Sequence, residues 1–70
     1  MLCLTRRPGE SIFLRDKKGK PIAEVTVNER EGRAGNQISL GFRAGAEVEI
    51  VRDDLLTQDE IEIIRSDLSN

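Results

Sequence analysis

Residues 37–52 read QISLGFRAGAEVEIVR, and this stretch decides the fold. Its first half places Ile38, Leu40 and Phe42 at every second position, with polar or small residues between them. After a break made of small residues, the alternation resumes over residues 46–52. A period of two is typical of strands that bury one face. The stretch therefore predicts two short strands, 37–43 and 46–52.

Toward the N-terminus, the chain predicts three more strands. They cover residues 1–7, 11–14 and 22–28. Pro8-Gly9 predicts a turn, because proline fixes φ and removes a donor while glycine tolerates positive φ. A polar turn over 16–21 separates the next two strands, and the charged, glycine-rich residues 29–36 predict a loop.

Toward the C-terminus, the period changes from strand to helix. Thr57 and Glu60 have the spacing of a capping box, in which each side chain binds the backbone N–H of the other residue. Apolar residues then follow at helical spacing, at Ile61, Ile64 and Leu68. The pattern predicts a helix over 58–68 and leaves open whether 53–56 forms an earlier turn. We expect a β domain over 1–56 and an acidic helix and tail over 57–70.

The composition predicts that a single chain has too small a hydrophobic core to be stable as a monomer. Only 37% of the 70 residues are hydrophobic, and Phe13 and Phe42, both expected in the core, are the only aromatic residues. Small domains are usually reinforced by disulfides, a metal or oligomerisation. With Cys3 as its single cysteine and no histidine, the chain can form neither an internal disulfide nor a zinc knuckle. The sequence therefore predicts a mainly β homodimer of five-stranded chains, whose exposed strand edges pair with each other.

No residue pattern indicates an enzyme. Cys3 has no candidate base and is interpreted as a small packed side chain on the first strand. The carboxylates after residue 52 are typical of a solvated helix face rather than a metal site, and no phosphate-binding glycine motif is present. We expect no cofactor and no metal. The sequence holds neither a long apolar run nor a signal peptide, so we expect a cytoplasmic protein that does not bind membranes.

The charge is divided between the two ends of the chain. Residues 1–52 carry ten basic and seven acidic residues, whereas 53–70 carry one arginine and six acidic residues. The basic residues each allow a structural interpretation beside a functional one. Arg6-Arg7 are solvated edge charges or a binding pair, and Arg52 forms an ion pair with a neighbouring acid or binds a ligand. The lysines of the 16–21 turn are interpreted as a solvated hairpin tip, and they are Lys17, Lys18 and Lys20.

Three blocks of the sequence resemble one bacterial family. Residues 1–12, MLCLTRRPGESI, resemble the N-terminal signature of the carbon storage regulator (CsrA/RsmA) family. Residues 35–42, GNQISLGF, and 47–55, EVEIVRDDL, are similar to its two later motifs and follow in the same order. The resemblance implies an interleaved homodimer that binds GGA elements in messenger and small RNAs, often in hairpin loops at ribosome-binding sites. It implies repression or modulation of translation and of transcript stability, with no DNA partner expected.

The resemblance also implies an RNA site shared between subunits. The first strand of one subunit would supply Leu4, Thr5, Arg6 and Arg7. The last strand of the other would supply Val48, Ile50, Val51 and Arg52. Flanking positions would be Asn36, Gln37, Ala44 and Gly45.

Four positions depart from the family pattern, of which Cys3 in place of an isoleucine is a minor change. Ser39 replaces a basic residue, Val51 replaces a histidine, and Gly45 replaces a proline. These changes bear on affinity and on the choice of RNA sequence. They leave a second function open, namely a protein-interaction or sequestration module of the same fold with weak or narrowed RNA binding. A protein antagonist is a further possible partner.

Overall fold

A computed structural model describes residues 1–28 and 37–69. The elements in chain order are β1 (Leu2–Arg6), β2 (Ser11–Asp16), β3 (Pro21–Thr26), β4 (Ile38–Phe42), β5 (Val48–Arg52), a 3-10 turn (Asp53–Leu55) and α1 (Gln58–Ser69). Five antiparallel strands followed by a helix confirm the predicted fold class. The loop predicted over 29–36 lies outside the described residues.

The strands form two separate sheets. One sheet has the order β1-β4, with Leu4 opposite Leu40. The other has the order β3-β2-β5, with Phe13 opposite Val51 and Ile12 opposite Arg52. Because neighbouring residues on a strand point to opposite faces, these registers decide which side chains share a face.

The turns are built as the sequence predicts. Gly9 has φ +89°, which favours glycine, and the Glu10 N–H donates to the Arg7 carbonyl across the turn at 3.0 Å. At the β2–β3 tip, the Asp16 carboxylate accepts the backbone N–H groups of Lys18 and Lys20, both at 2.9 Å. Because β2 continues to Asp16, it is two residues longer than predicted. The lysine side chains are exposed, which confirms the solvated tip.

The helix closes one face of the three-stranded sheet. Phe13, fully buried, packs with Ile61 and Ile64 of α1. The capping box is confirmed, because the Glu60 N–H donates to the Thr57 hydroxyl at 3.2 Å and the Thr57 N–H donates to the Glu60 carboxylate at 3.0 Å. The region left open in the sequence, 53–56, begins with the 3-10 turn.

No described element covers the two-stranded sheet as the helix covers the other sheet. Leu2 and Ile38 lie on the same face of this sheet and remain 44% and 42% exposed. On the opposite face Cys3 is exposed, so its interpretation as a packed side chain is wrong. Phe42 is only half-buried, unlike Phe13, so it is not a core residue of the single chain. The main buried cluster therefore sits between the β3-β2-β5 sheet and the helix, and the fully buried Ile12 lies on the other face of that sheet.

Candidate nucleic-acid interface

The predicted site residues lie mainly on two strands at the edges of different sheets. β1 is bonded to β4 along one edge, and β5 is bonded to β2 along one edge. Within the part of the chain that the structure describes, no strand pairs with the other edge of either. A single chain does not bring β1 and β5 together in one sheet. The two halves of the predicted site therefore lie in different sheets of the chain.

The predicted residues differ in their exposure. The exposed ones are Thr5, Arg7, Gln37, Ala44 and Gly45. The half-buried ones are Leu4, Val48, Ile50, Val51 and Arg52. Arg6 is buried, and Asn36 lies outside the described residues.

The β5 side chains divide between the two faces of the sheet. Ile50 lies opposite Leu14 and Arg52 lies opposite Ile12, whereas Val51 lies opposite Phe13. Arg52 therefore shares a face with Val48 and Ile50, as predicted. Val51 points to the face that the helix covers, so the structure does not bring it to the surface that carries Arg52.

Arg6 is held inside the fold by an ion pair. Its Nη1 donates to Asp53 Oδ1 at 2.6 Å, and its Nε donates to the Thr5 carbonyl at 2.9 Å. The second carboxylate oxygen, Asp53 Oδ2, accepts the backbone N–H of Ser11 at 2.8 Å. The cluster ties β1 to the end of β5 and the start of β2. The interpretation of Arg6 as a solvated edge charge is therefore wrong.

Arg52 forms the ion pair that the sequence allowed, and it does so at the surface. Its Nε donates to Asp54 Oδ1 at 3.2 Å and its Nη2 donates to Asp54 Oδ2. The hydrogen bond from Arg52 lowers the pKa of Asp54 below its usual value, and the same bond raises the pKa of Arg52. The Arg52 side chain remains 37% exposed. Both groups are thus fully charged at neutral pH and accessible to a ligand.

A groove opens between the two sheets beside this surface. It has a volume of about 290 Å³. Its lining residues are Met1, Leu2, Phe42, Arg43, Ala44, Gly45, Val48 and Ile50. Four of them were predicted site residues: Ala44, Gly45, Val48 and Ile50. Sequence reasoning missed Arg43, although an exposed basic residue directly after the β4 alternation was a usable signal.

The described basic residues differ in whether an acid neutralises them. Arg6, Arg15, Arg52 and Arg65 are paired with carboxylates. Over residues 1–28 and 37–69, the side chains of Arg7 and Arg43 form no ion pair. These two arginines therefore carry positive charge, near the groove and the end of β1, that no described carboxylate compensates. No helix in the described ranges is long and apolar enough to cross a membrane.

The comparisons with known proteins agree with the three sequence blocks. The family model of CsrA, described as a global regulator protein family, matches residues 1–60. The match covers all five strands and the beginning of α1. No solved structure matches the chain. The resemblance stated from the sequence is confirmed.

Proposed function

The chain belongs to the CsrA family of global post-transcriptional regulators, which bind RNA, and from this premise we propose that it recognises GGA-containing hairpin loops in messenger RNA leaders. Binding over a ribosome-binding site would repress translation, and binding elsewhere in a leader would change transcript stability. Small RNAs that carry GGA elements would compete for the same site. The proposed place of action is the cytoplasm, where these transcripts are translated.

We propose that the binding unit is a homodimer in which β1 of one chain pairs with β5 of the other. Two observations support this arrangement. Both strands present an edge to which no described strand is bonded, and unpaired edges of this kind favour pairing with another chain. The apolar face of the β1-β4 sheet is also incompletely covered, with Leu2 and Ile38 more than two-fifths exposed. A second copy would cover both features.

In such a dimer, each RNA site would combine two strand edges. β1 and the residue after it would offer Leu4, Thr5 and Arg7, and β5 of the partner would offer Val48, Ile50 and Arg52. Arg6 would support the site by fixing β1 rather than by reaching the RNA, because its guanidinium is buried against Asp53. Val51 would support it by packing on the helix side. Flanking contacts are proposed for Asn36, Gln37, Ala44 and Gly45.

The chemistry of this surface fits recognition of an unstacked loop rather than a helical stem. Phe13 is fully buried and cannot stack on a base, and Phe42 is half-buried in the groove, so recognition would depend mainly on arginine planes, aliphatic contacts and backbone groups. An arginine fork matches the O6 and N7 acceptors of guanine. The observation that carries the proposal is the placement of Arg52 at the end of edge strand β5, with its side chain 37% exposed and on the same face as Val48 and Ile50.

The test is the affinity of Arg52→Ala for a GGA hairpin, measured by gel shift. We expect a loss of roughly 10- to 100-fold, the scale of one bidentate base contact. Lys18→Ala is the matched control, because it removes one exposed positive charge from the hairpin tip. The variants should sediment as dimers like the parent protein, which keeps loss of binding separate from loss of assembly. Unchanged affinity of Arg52→Ala, or an equal loss in Lys18→Ala, would contradict the proposed site.

A further inference from the structure

Asp54 uses only one side of the Arg52 guanidinium. The carboxylate accepts from Nε and from Nη2, which together form the side edge of the planar group. The other edge, formed by Nη1 and the second N–H of Nη2, has no partner among the described residues. The carboxylate of Asp54 can therefore hold the Nε–Nη2 edge of Arg52 while the Nη1–Nη2 edge remains available to a ligand.

Asp54 is itself placed for this task by its neighbours. Arg6 Nη2 lies 3.6 Å from Asp54 Oδ2, so the carboxylate sits between two guanidinium groups. Both arginines lower the pKa of Asp54, the hydrogen bond from Arg52 being the stronger cause. Asp53, the preceding residue, takes the buried contacts to Arg6 and to the Ser11 N–H. Asp54 is thereby left at the surface, 47% exposed, with Arg52 as its main partner.

A fixed guanidinium has two advantages for reading a base. Less side-chain freedom is lost when the ligand binds, and this preorganisation increases affinity. A carboxylate beside the arginine also reduces the local positive charge, which weakens attraction for an anionic phosphate more than for the neutral edge of a guanine. The same contact therefore favours base recognition over general attachment to the RNA backbone.

We propose that Asp54 is a positioning residue for RNA recognition: it holds the side edge of Arg52 so that the end edge of the guanidinium is presented to a guanine. This inference rests on the proposed function and adds to it a determinant of specificity. Asp54 does not contact the RNA itself, and it acts through Arg52 alone.

The experiment measures Asp54→Ala against a GGA hairpin and against a hairpin of equal length whose GGA is replaced by pyrimidines. We expect the affinity for the GGA hairpin to fall about ten-fold, the scale of a lost charged hydrogen bond. The affinity for the pyrimidine hairpin should stay constant or rise, so the ratio between the two decreases. Asp59→Ala is the control, because Asp59 is an exposed acid of α1 that forms no ion pair with any residue the structure describes. It should leave the ratio unchanged.

A double-mutant cycle separates positioning from a general effect on charge or folding. In the Arg52→Ala background, Asp54→Ala should cause no further loss, because the residue through which Asp54 acts is absent. Asp54→Glu keeps the carboxylate and should restore part of the affinity. If the single variant Asp54→Ala bound the GGA hairpin as tightly as the parent protein, or more tightly, the inference would be wrong. A higher affinity would show that Asp54 competes with the RNA for Arg52. If the parent protein binds the two hairpins equally, the proposed function and this inference are both wrong. If Arg52→Ala loses discrimination while Asp54→Ala keeps it, only the inference fails.

Discussion

Two ion pairs stand side by side where β5 ends, and they differ in burial. The Arg6–Asp53 side chains are 6% and 23% exposed, whereas those of Arg52–Asp54 are 37% and 47% exposed. The acids are adjacent in the sequence, and both pairs join an arginine to a carboxylate. The difference shows that burial, rather than residue type, separates an arginine that holds the fold together from one that is available to a ligand.

The cause of the difference is what surrounds each carboxylate. Asp53 turns inward and accepts hydrogen bonds from Arg6 and from the Ser11 backbone, so it joins three segments of the chain. A buried charge is tolerated only when it is paired and hydrogen-bonded in this way. Asp54 follows on the outer side of the 3-10 turn and contacts Arg52, two residues before it. The inner pair depends on the tertiary structure, whereas the outer one is local.

The largest expected effect is that of Asp53→Ala. It removes the main partner of a buried guanidinium and leaves the Ser11 N–H without its acceptor. Breaking a buried pair from one side is strongly destabilising, and we expect a loss of about 3 kcal/mol in the free energy of unfolding. Urea denaturation at one fixed protein concentration measures it, since the stability of the proposed dimer would depend on concentration.

Asp54→Ala provides the matched control for this experiment. It deletes a carboxylate one residue away, whose main partner Arg52 lies at the surface and whose contact with the buried Arg6 is longer, at 3.6 Å, so it should destabilise the protein much less than Asp53→Ala. Equal destabilisation by the two variants would show that burial does not distinguish the two pairs.

The same distinction explains which parts of the structure could be predicted from the sequence. Alternation is a local signal, so β4 and β5 follow from the residue pattern, and the capping box of Thr57 and Glu60 fixes the helix start. Strand ends are set by turn hydrogen bonds: β5 begins at Val48, later than predicted, beside a bond from its N–H to the Gly45 carbonyl at 3.1 Å.

The burial of Arg6 could not be predicted in the same way. Alternation places Arg6 on the same face as Leu2 and Leu4, but an arginine there is as easily solvated as buried. Its state depends on Asp53, which lies 47 positions away in the sequence. The exposure of Cys3 was missed for a related reason, since the pattern of β1 does not say which of its faces is covered. Contacts between distant segments decide both cases.

An intermediate effect is expected for the pair that holds the helix. Arg65 donates to Glu24 from Nε and Nη2 and lies over the Phe13 ring, 5.9 Å from its centre. The hydrogen bond from Arg65 lowers the pKa of Glu24 below its usual value, so the ionised carboxylate stabilises the folded state. This contribution is present above the ordinary pKa of a glutamate and is lost as the pH falls through the lowered folded-state value.

Glu24→Gln tests this pair through its pH dependence. At pH 7 we expect the variant to be less stable than the parent by at most about 1 kcal/mol, because Arg65 is half exposed to water. The difference in stability should narrow as the pH falls below 4.5, where the unfolded chain begins to protonate Glu24, and it should close once the pH is below the lowered folded-state pKa. Glu62→Gln, at an exposed position of α1, is the control and should show no such narrowing. If the difference in stability between the parent protein and Glu24→Gln increased in acid, the ionised Glu24 carboxylate would not be the stabilising form.

The smallest effect is expected for Glu49→Ala, which breaks a pair across the β2–β5 ladder. Arg15 Nη2 lies 3.0 Å from Glu49 Oε1, and the residues are directly opposite in the register. Both side chains reach water, Glu49 being 47% exposed, so screening and lost side-chain freedom offset most of the attraction. We expect a change of at most about 0.5 kcal/mol in urea denaturation, decreasing further in 0.5 M salt. A loss approaching that of Asp53→Ala would contradict this expectation and would mean that the Arg15–Glu49 pair is shielded from solvent. Such shielding would arise if the partner chain of the proposed dimer covered Glu49 as well as the free edge of β5.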